Sequence, residues 1–174
     1  RWGADDVRSY LTLQRDLYEL CRQANDAALT QLRPGRPYRA FHAAAMRVFA
    51  YGLADLGLLP GSAEEALDPA SMVYRRWTLC SSGHMLGLDV HDCGAYVIAG
   101  RSREMQPGQV LTVEPGLYIA PDDETVEPRW RGIGLRVEDD ILVSADGHEN
   151  LTAAIPKEIA ELEALCGSGS LPES

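Results

Sequence analysis

The sequence of 174 residues lacks any long apolar run, and this argues against a membrane-spanning helix. A transmembrane helix needs about 20 consecutive apolar residues, and no stretch of this chain approaches that length. The opening residues, RWGADDVRSY, also lack the apolar stretch behind a basic start that is typical of a secretory signal. We therefore expect a soluble, cytoplasmic protein with no membrane partner.

Positive charge is also scarce. The chain has 16 Lys and Arg residues against 26 Asp and Glu residues, which gives a formal net charge of -10. A protein that binds nucleic acid needs a basic patch, and the adjacent pair Arg75 and Arg76 is too small to form one. The composition therefore predicts no nucleic-acid partner, and it is compatible with carboxylates that surround cations.

Cysteines are few and irregularly spaced. The four of them form no CxxC pair and no repeating pattern: Cys21, Cys80, Cys93 and Cys166. This arrangement indicates neither a zinc knuckle nor a disulfide framework. Reduced thiols in a cytosolic protein are the expectation.

The pattern of apolar residues predicts helices followed by strands. Residues 11–32 and 37–59 have helical periodicity and end at Pro34-Gly35 and Pro60-Gly61, and 62–73 resembles a loop. We predict strands at 77–79, 110–115, 116–120, 132–138 and 140–144, a short helix at 156–165, and a flexible tail at 166–174. This order favours one α+β domain over residues 1–165.

Polar side chains interrupt three otherwise apolar, β-rich segments. These are GHMLGLDVHD (83–92), VLTVEPGLY (110–118) and GIGLRVEDD (132–140). A carboxylate inside a buried strand is costly unless a metal ion or another cation meets it, so Glu114 and Glu138 need partners. Each could instead face water or pair with Arg136, and His84 alone could be a structural histidine. Together, one imidazole and two carboxylates suit manganese, zinc, cobalt or iron.

A mixed nitrogen and oxygen ligand set is chemically coherent for a hydrolase. Two divalent ions with shared carboxylate ligands can convert bound water to hydroxide at neutral pH. His91 follows His84 by seven residues and can donate a hydrogen bond to a substrate carbonyl, although it could also be a loop histidine bonded to backbone. His42 and His148 are expected to be structural or solvated. Pro115-Gly116 would hold Glu114 at a strand terminus.

These segments resemble the pita-bread metallopeptidases, and bacterial-type aminopeptidase P most specifically. QPGQVLTVEPGLYIAPD (106–122) and GHENLTAAIPKEIAELEAL (147–165) also carry the resemblance, which runs from about Leu13 to Leu165 and is most specific from Gly83 onward. The resemblance implies that residues 1–165 form the C-terminal part of a pita-bread catalytic domain, an α+β architecture with helices packed on a curved, mostly antiparallel sheet.

The resemblance also implies roles for individual residues. His84, Glu114 and Glu138 match ligands of a dinuclear metal centre, with Glu138 bridging the ions and Glu114 as the candidate general base. His91 matches a histidine that contacts substrate near the scissile bond, and Arg136 matches a substrate-binding arginine. The family removes the N-terminal residue from peptides with proline second. Manganese is its typical metal, with zinc, cobalt or iron as alternatives, and we expect a homo-oligomer at full length.

This sequence departs from the family pattern at two places. The family has two aspartate ligands ahead of the first of these helices, and only Asp6 is available as a remnant of them. Cys80 stands where the family commonly has a histidine that positions substrate, and a thiol is a weaker hydrogen-bonding group. We therefore predict metal-dependent hydrolysis of Xaa-Pro bonds with an incomplete site in this chain. A prolidase-type dipeptidase and a non-catalytic pita-bread module that binds peptides or a protein partner are the alternatives.

Overall fold

The computed structural model describes residues 4–78 and 81–166, without the side chains of residues 4–10. Its helices are α1 (Ala4–Leu29), α2 (Arg39–Asp55), α3 (Ala63–Leu67) and α4 (Ile159–Cys166), and single 3-10 turns lie at Val73–Arg76 and Pro128–Trp130. Its strands are β1 (Val97–Ile98), β2 (Arg101–Ser102), β3 (Val110–Val113), β4 (Gly116–Tyr118), β5 (Gly134–Arg136), β6 (Asp139–Val143) and β7 (His148–Asn150). No helix in this part of the chain has the length and apolarity required to cross a membrane.

Helices α1 and α2 pack against each other along the apolar faces that the sequence pattern predicts. The completely buried side chains include Leu17, Ala24 and Ala28 of α1 and Phe41 and Phe49 of α2. Full burial of a large apolar side chain contributes about 1.5–3 kcal/mol, so this face anchors both helices. Helix α1 also contacts β3, β4 and β5, and it therefore lies directly on strands that flank the two glutamates.

The strands form antiparallel ladders. Strand β6 pairs with β3 and β7, β4 pairs with β5, and β1 pairs with β2. In the β3–β6 ladder Val113 lies opposite Asp139, and in the β4–β5 ladder Gly116 lies opposite Arg136. Counting inward from these two pairs gives the same register, so residues 110–118 and 134–143 form one antiparallel pair with a short interruption. The α+β class is confirmed.

Some predicted elements differ from the structure. The predicted strand at 77–79 is wrong for its described residues, because Trp77 and Thr78 follow a 3-10 turn, although the Trp77 carbonyl accepts a 2.8 Å hydrogen bond from the Tyr118 N–H. The predicted loop at 62–73 contains α3, where the side chains of Ser62 and Glu65 form a reciprocal capping box. Strands β1, β2 and β7 have two or three residues each, too few for a periodic signal.

The segment that leads into the last helix is attached to the body of the protein. The Lys157 ammonium lies 2.7 Å from the buried Asp139 carboxylate, and the Tyr18 hydroxyl of α1 donates a 2.8 Å hydrogen bond to the Lys157 carbonyl. Helix α4 begins three residues later than predicted and extends through Cys166. Residues 167–174 lie outside the described residues, so the predicted flexible tail stays a prediction.

Candidate metal centre

The two glutamates lie directly opposite each other at the interruption of the antiparallel pair. Because the two ladders share one register, counting inward from either side places Glu114 opposite Glu138. The Val137 N–H donates a 3.3 Å hydrogen bond to the Pro115 carbonyl, so Pro115 and Val137 form a hydrogen-bonded pair. Because the two types of pair alternate along an antiparallel ladder, the neighbouring pair of Glu114 and Glu138 is not hydrogen-bonded. Side chains of such a pair lie on one face of the sheet and close together. Two like charges directly opposite each other destabilise a sheet, and a cation between them would offset this repulsion.

His84 reaches the same place because its segment runs beside β3, on the side opposite β6. The Thr112 N–H donates to the His84 carbonyl at 2.8 Å, and the Glu114 N–H donates to the Ser82 carbonyl at 2.7 Å. Gly83 permits this approach, since a Cβ there would lie 2.0 Å from the Thr112 carbonyl oxygen. The backbone of β3 therefore fixes where His84 stands.

The His84 imidazole points one nitrogen at Glu114. Its Nδ1 lies 3.1 Å from the Met85 carbonyl oxygen, which can only accept, so Nδ1 carries the proton. The Nε2 atom lies 3.3 Å from Oε1 of Glu114. A neutral imidazole with its proton on Nδ1 has a lone pair on Nε2. Because the Glu114 oxygen also has only lone pairs, a proton or a metal ion between Nε2 and Oε1 is needed for an attractive contact. Ligand atoms of one tetrahedral or octahedral ion with bonds near 2.1 Å are separated by about 3.0–3.4 Å, which matches the observed distance.

Glu114 is buried and contacted at both oxygens. The Thr112 hydroxyl donates a 3.0 Å hydrogen bond to Oε1 of Glu114 and accepts one of 3.0 Å from the His84 N–H. Arg136 places Nη1 3.0 Å from Oε2 of Glu114, and its Nε donates to the Tyr118 hydroxyl at 2.8 Å. The ion pair with Arg136, which the sequence left open as an alternative, is therefore present together with the His84 contact.

Glu138 has a different environment, since more than a third of the residue is exposed and only the rest is covered. Partial burial raises the pKa of the Glu138 carboxyl above its ordinary value, and the negative charge of Glu114 raises this pKa further, while Arg136 and His84 oppose the shift. A carboxylate whose charge is opposed by a neighbouring carboxylate favours a nearby cation. This observation fits a metal ion on the face shared by Glu114 and Glu138.

The arrangement is partial as it stands. Among the described residues, no three His, Cys, Asp or Glu side chains are grouped closely enough to hold a metal ion. The donors that fit are His84 Nε2 and Glu114 Oε1, with Glu138 opposite on the same face. Cys80 lies outside the described residues, and so does the side chain of Asp6.

His91 lies against the His84 ring. Its ring centroid is 4.3 Å from that of His84, and the two rings are nearly perpendicular. The side chain of His91 is exposed, so it has room to meet a bound molecule. The contact places His91 beside His84, and the expectation that both face one cleft stays a prediction.

Two residues that the sequence interpretation left without a role support the centre. The Nδ1 atom of His42 accepts a 3.2 Å hydrogen bond from the Ser82 N–H and lies 3.0 Å from the Ser82 hydroxyl. Burial lowers the pKa of His42, which favours the neutral form that this bond requires.

Thr112 could have been found from the sequence, because residues two apart on a strand share a face and Thr112 precedes Glu114 by two.

His148 serves a structural purpose. Its Nδ1 lies 2.9 Å from the Leu32 carbonyl, a contact that joins β7 to the turn after α1. The expectation of a structural or solvated histidine agrees with this contact.

Comparisons with known proteins identify relatives. The sequence profile of metallopeptidase family M24 matches residues 3–145. The chain is 47% identical over 156 residues to Xaa-Pro aminopeptidase 1 of Streptomyces coelicolor, a match that covers 89% of this chain and 31% of the relative. It is 44% identical over 152 residues to the Xaa-Pro aminopeptidase of Escherichia coli, covering 87% and 34%. The chain thus spans about a third of the length of the curated relatives it matches.

Solved structures agree with these relatives. Aminopeptidase PepP of Pseudomonas aeruginosa has a TM-score of 0.85 and 46% identity, covering 90% of this chain and 35% of that protein. Zinc-substituted E. coli aminopeptidase P in complex with product has a TM-score of 0.83 and 42% identity, covering 91% and 36%. The predicted family resemblance and the pita-bread fold are confirmed.

Proposed function

Because this chain belongs to metallopeptidase family M24, we propose that it forms the metal-binding part of an aminopeptidase that cleaves the bond before a proline in second position. The observation that carries this proposal is the opposition of Glu114 and Glu138 on one face, with His84 Nε2 3.3 Å from Glu114 Oε1. The names of its relatives supply the substrate class.

His84, Glu114 and Glu138 would hold a pair of divalent ions, with manganese as the first choice and zinc, cobalt or iron as alternatives. When bound, such ions activate water for attack on the amide carbonyl and stabilise the charge that develops there. Thr112 keeps Oε1 of Glu114 oriented toward His84. Manganese and a homo-oligomeric assembly belong to this proposal on the strength of the resemblance, and a cytoplasmic location belongs to it on the strength of the composition and the cysteine pattern.

Glu114 is the proposed general base, and its two oxygens have separate partners. Oε1 is aimed at His84, and Oε2 is held by the Arg136 guanidinium. A base held by a charge-assisted hydrogen bond keeps one orientation toward the proton that it accepts. Arg136 remains more than a third exposed, so its guanidinium can also contact a substrate.

His91 is the proposed donor to the substrate carbonyl. Its ring lies against His84 and is exposed, so a peptide carbonyl at the centre would be within reach. A hydrogen bond that strengthens as negative charge develops on that oxygen lowers the barrier, and loss of one such donor costs about 100- to 1000-fold in rate.

The test is a peptidase assay on the longest polypeptide that the gene encodes. With Mn²⁺ present, we expect release of the N-terminal residue from Arg-Pro and Gly-Pro peptides. His84→Ala should lower metal content, and it should lower the rate by at least about 100-fold, since it removes a ligand.

His148→Ala is the matched control, because this histidine is bonded to the Leu32 carbonyl. It should leave metal content and rate unchanged. Cleavage restricted to dipeptides would favour the dipeptidase alternative. An inert polypeptide with Mn²⁺ added would contradict the proposed activity.

A further inference from the structure

The interruption between the two ladders contains a backbone group that lacks its usual partner. In a hydrogen-bonded antiparallel pair, two opposite residues exchange two N–H to carbonyl bonds. The Val137 N–H donates to the Pro115 carbonyl at 3.3 Å, but proline has no N–H to return the bond. The Val137 carbonyl therefore lacks the donor that any other residue at 115 would provide.

The side chain of Asn25 occupies the place of that missing donor. Asn25 lies on α1 and is 2% exposed. Its Nδ2 atom is 3.0 Å from the Val113 carbonyl oxygen and 3.4 Å from the Val137 carbonyl oxygen. Carbonyl oxygens accept only, so the orientation of the amide follows from its two partners.

These two carbonyls belong to the residues immediately before the two glutamates. One buried amide thus joins the backbone at Val113–Glu114 to the backbone at Val137–Glu138 and ties both to α1. The spacing of opposite side chains depends on the spacing of the backbones that carry them. Asn25 contacts neither glutamate side chain through these bonds, and it acts on the backbone alone.

We propose that Asn25 is a positioning residue of the metal centre, whose amide replaces the N–H that Pro115 lacks and fixes the separation of Glu114 and Glu138. This inference rests on the proposed function, because it assigns the two carboxylates to one metal centre. The expected consequence is a change in metal affinity beyond the loss of stability that any buried substitution causes.

The test compares Mn²⁺ affinity and thermal stability in the longest polypeptide that the gene encodes. Asn25→Leu has a similar size and no donor, and we expect it to weaken Mn²⁺ binding by about 10- to 100-fold, measured by titration calorimetry. Leu17→Ala is the matched control, since Leu17 is also buried on α1. It should lower the melting temperature and leave the Mn²⁺ affinity of the folded protein within about twofold.

Pro115→Ala supplies a second, more specific readout. The backbone N–H that this substitution introduces can pair with the Val137 carbonyl, so Asn25→Leu should weaken Mn²⁺ binding less in the Pro115→Ala background than in the unaltered protein. If Asn25→Leu does not fold, Asn25→Ser is the substitute. Its side chain keeps a hydrogen-bond donor but is too short to reach both the Val113 and the Val137 carbonyl, so we expect weaker Mn²⁺ binding again.

The outcomes separate this inference from the proposed function. Wild-type protein that fails to bind Mn²⁺ would overturn the metal centre and this inference with it. Wild-type binding with unchanged Mn²⁺ affinity in the Asn25 variant would overturn the positioning role alone. Equal effects of Asn25→Leu with and without Pro115→Ala would also overturn it.

Discussion

Glu114 and Glu138 face each other across one antiparallel pair, yet their surroundings differ. Glu114 is buried, and its oxygens contact His84, Thr112 and Arg136. Glu138 is more exposed than Glu114 but still partly covered, and its pKa is raised by this partial burial and by the charge of Glu114. Without metal, the repulsion between the two carboxylates therefore destabilises the charged form of Glu138, which lacks, within the part of the chain that the structure describes, the hydrogen-bonding partners that Glu114 has.

Glu138→Gln should stabilise the metal-free protein at neutral pH. A carboxyl whose folded-state pKa is raised favours folding most when it is protonated, and this contribution is lost as pH rises through the folded-state pKa. We expect the variant to melt about 1–2 °C above wild type at pH 7, a small effect because solvent screens the repulsion. Below the ordinary value of 4.5 the advantage should vanish.

Calorimetry in the presence of a chelator, from pH 7 down to pH 4, measures this difference. Glu149→Gln on β7 is the control, since Glu149 is also exposed and lies opposite Leu142 and not opposite a carboxylate, and we expect its melting temperature at pH 7 to stay close to that of wild type. A Glu138→Gln advantage that persists at low pH would show that the stabilisation does not come from the removed charge.

The sequence sufficed to select His84, Glu114 and Glu138 as candidates, because imidazole and carboxylate groups in apolar, β-rich segments need an explanation. It did not select Asn25 or Thr112. Asn25 acts on carbonyls 88 and 112 residues away along the chain, and a backbone carbonyl is present at every position. Which of them lacks a partner depends on strand register, which the sequence pattern left open.

The segment around Gly83 is neither a helix nor a named strand, but its backbone hydrogen bonds to β3 hold it in one position. Residues 82–86 hydrogen-bond along one side of β3 through Ser82, His84 and Leu86. The glycine is required at a close approach, because a Cβ would meet the Thr112 carbonyl oxygen at 2.0 Å. That oxygen belongs to a β3 residue and cannot move without disturbing the β3–β6 ladder.

Gly83→Ala should therefore separate this segment from β3 and displace His84. We expect a loss of about 1–3 kcal/mol in the free energy of unfolding and weaker Mn²⁺ binding by about 10-fold or more. Chemical denaturation and Mn²⁺ titration on the same samples measure both quantities. Gly147→Ala is the control, since its Cβ would meet only Ser144 at 3.9 Å; a Gly83 variant indistinguishable from it would contradict this account.

At the level of elements, segments with a clear apolar pattern were predictable, and isolated short segments without one were not. Helices α1 and α2 follow from apolar residues on one face and from the Pro-Gly turns behind them. Strands β3, β4 and β5 lie within their predicted ranges, and β6 begins one residue before its predicted range of 140–144, but the predicted strand at 77–79 does not exist at Trp77 and Thr78. Isolated apolar and β-branched residues have no periodicity to test, and the tertiary environment decides their conformation.

The whole molecule is acidic, with a formal net charge of -10, and part of that charge is concentrated where the ladders meet. Glu114, Glu138, Asp139 and Asp140 lie within one interrupted antiparallel pair. Arg136 and Lys157 neutralise part of this charge through contacts with Glu114 and Asp139. The remaining negative charge favours divalent cations over anions at this site.

Metal stoichiometry tests the proposal at the scale of the molecule. The family resemblance assigns two aspartate ligands to a position ahead of the first helix, and this chain spans about a third of its curated relatives. We expect about two Mn²⁺ ions per polypeptide in the longest form that the gene encodes, and fewer in the 174-residue chain. Elemental analysis after dialysis measures the metal content of both polypeptides.

Asp6→Asn is the control in the 174-residue chain, because a fall in its metal content would identify Asp6 as a ligand. Equal metal content in both polypeptides, unaffected by Asp6→Asn, would show that His84, Glu114 and Glu138 suffice without the aspartates.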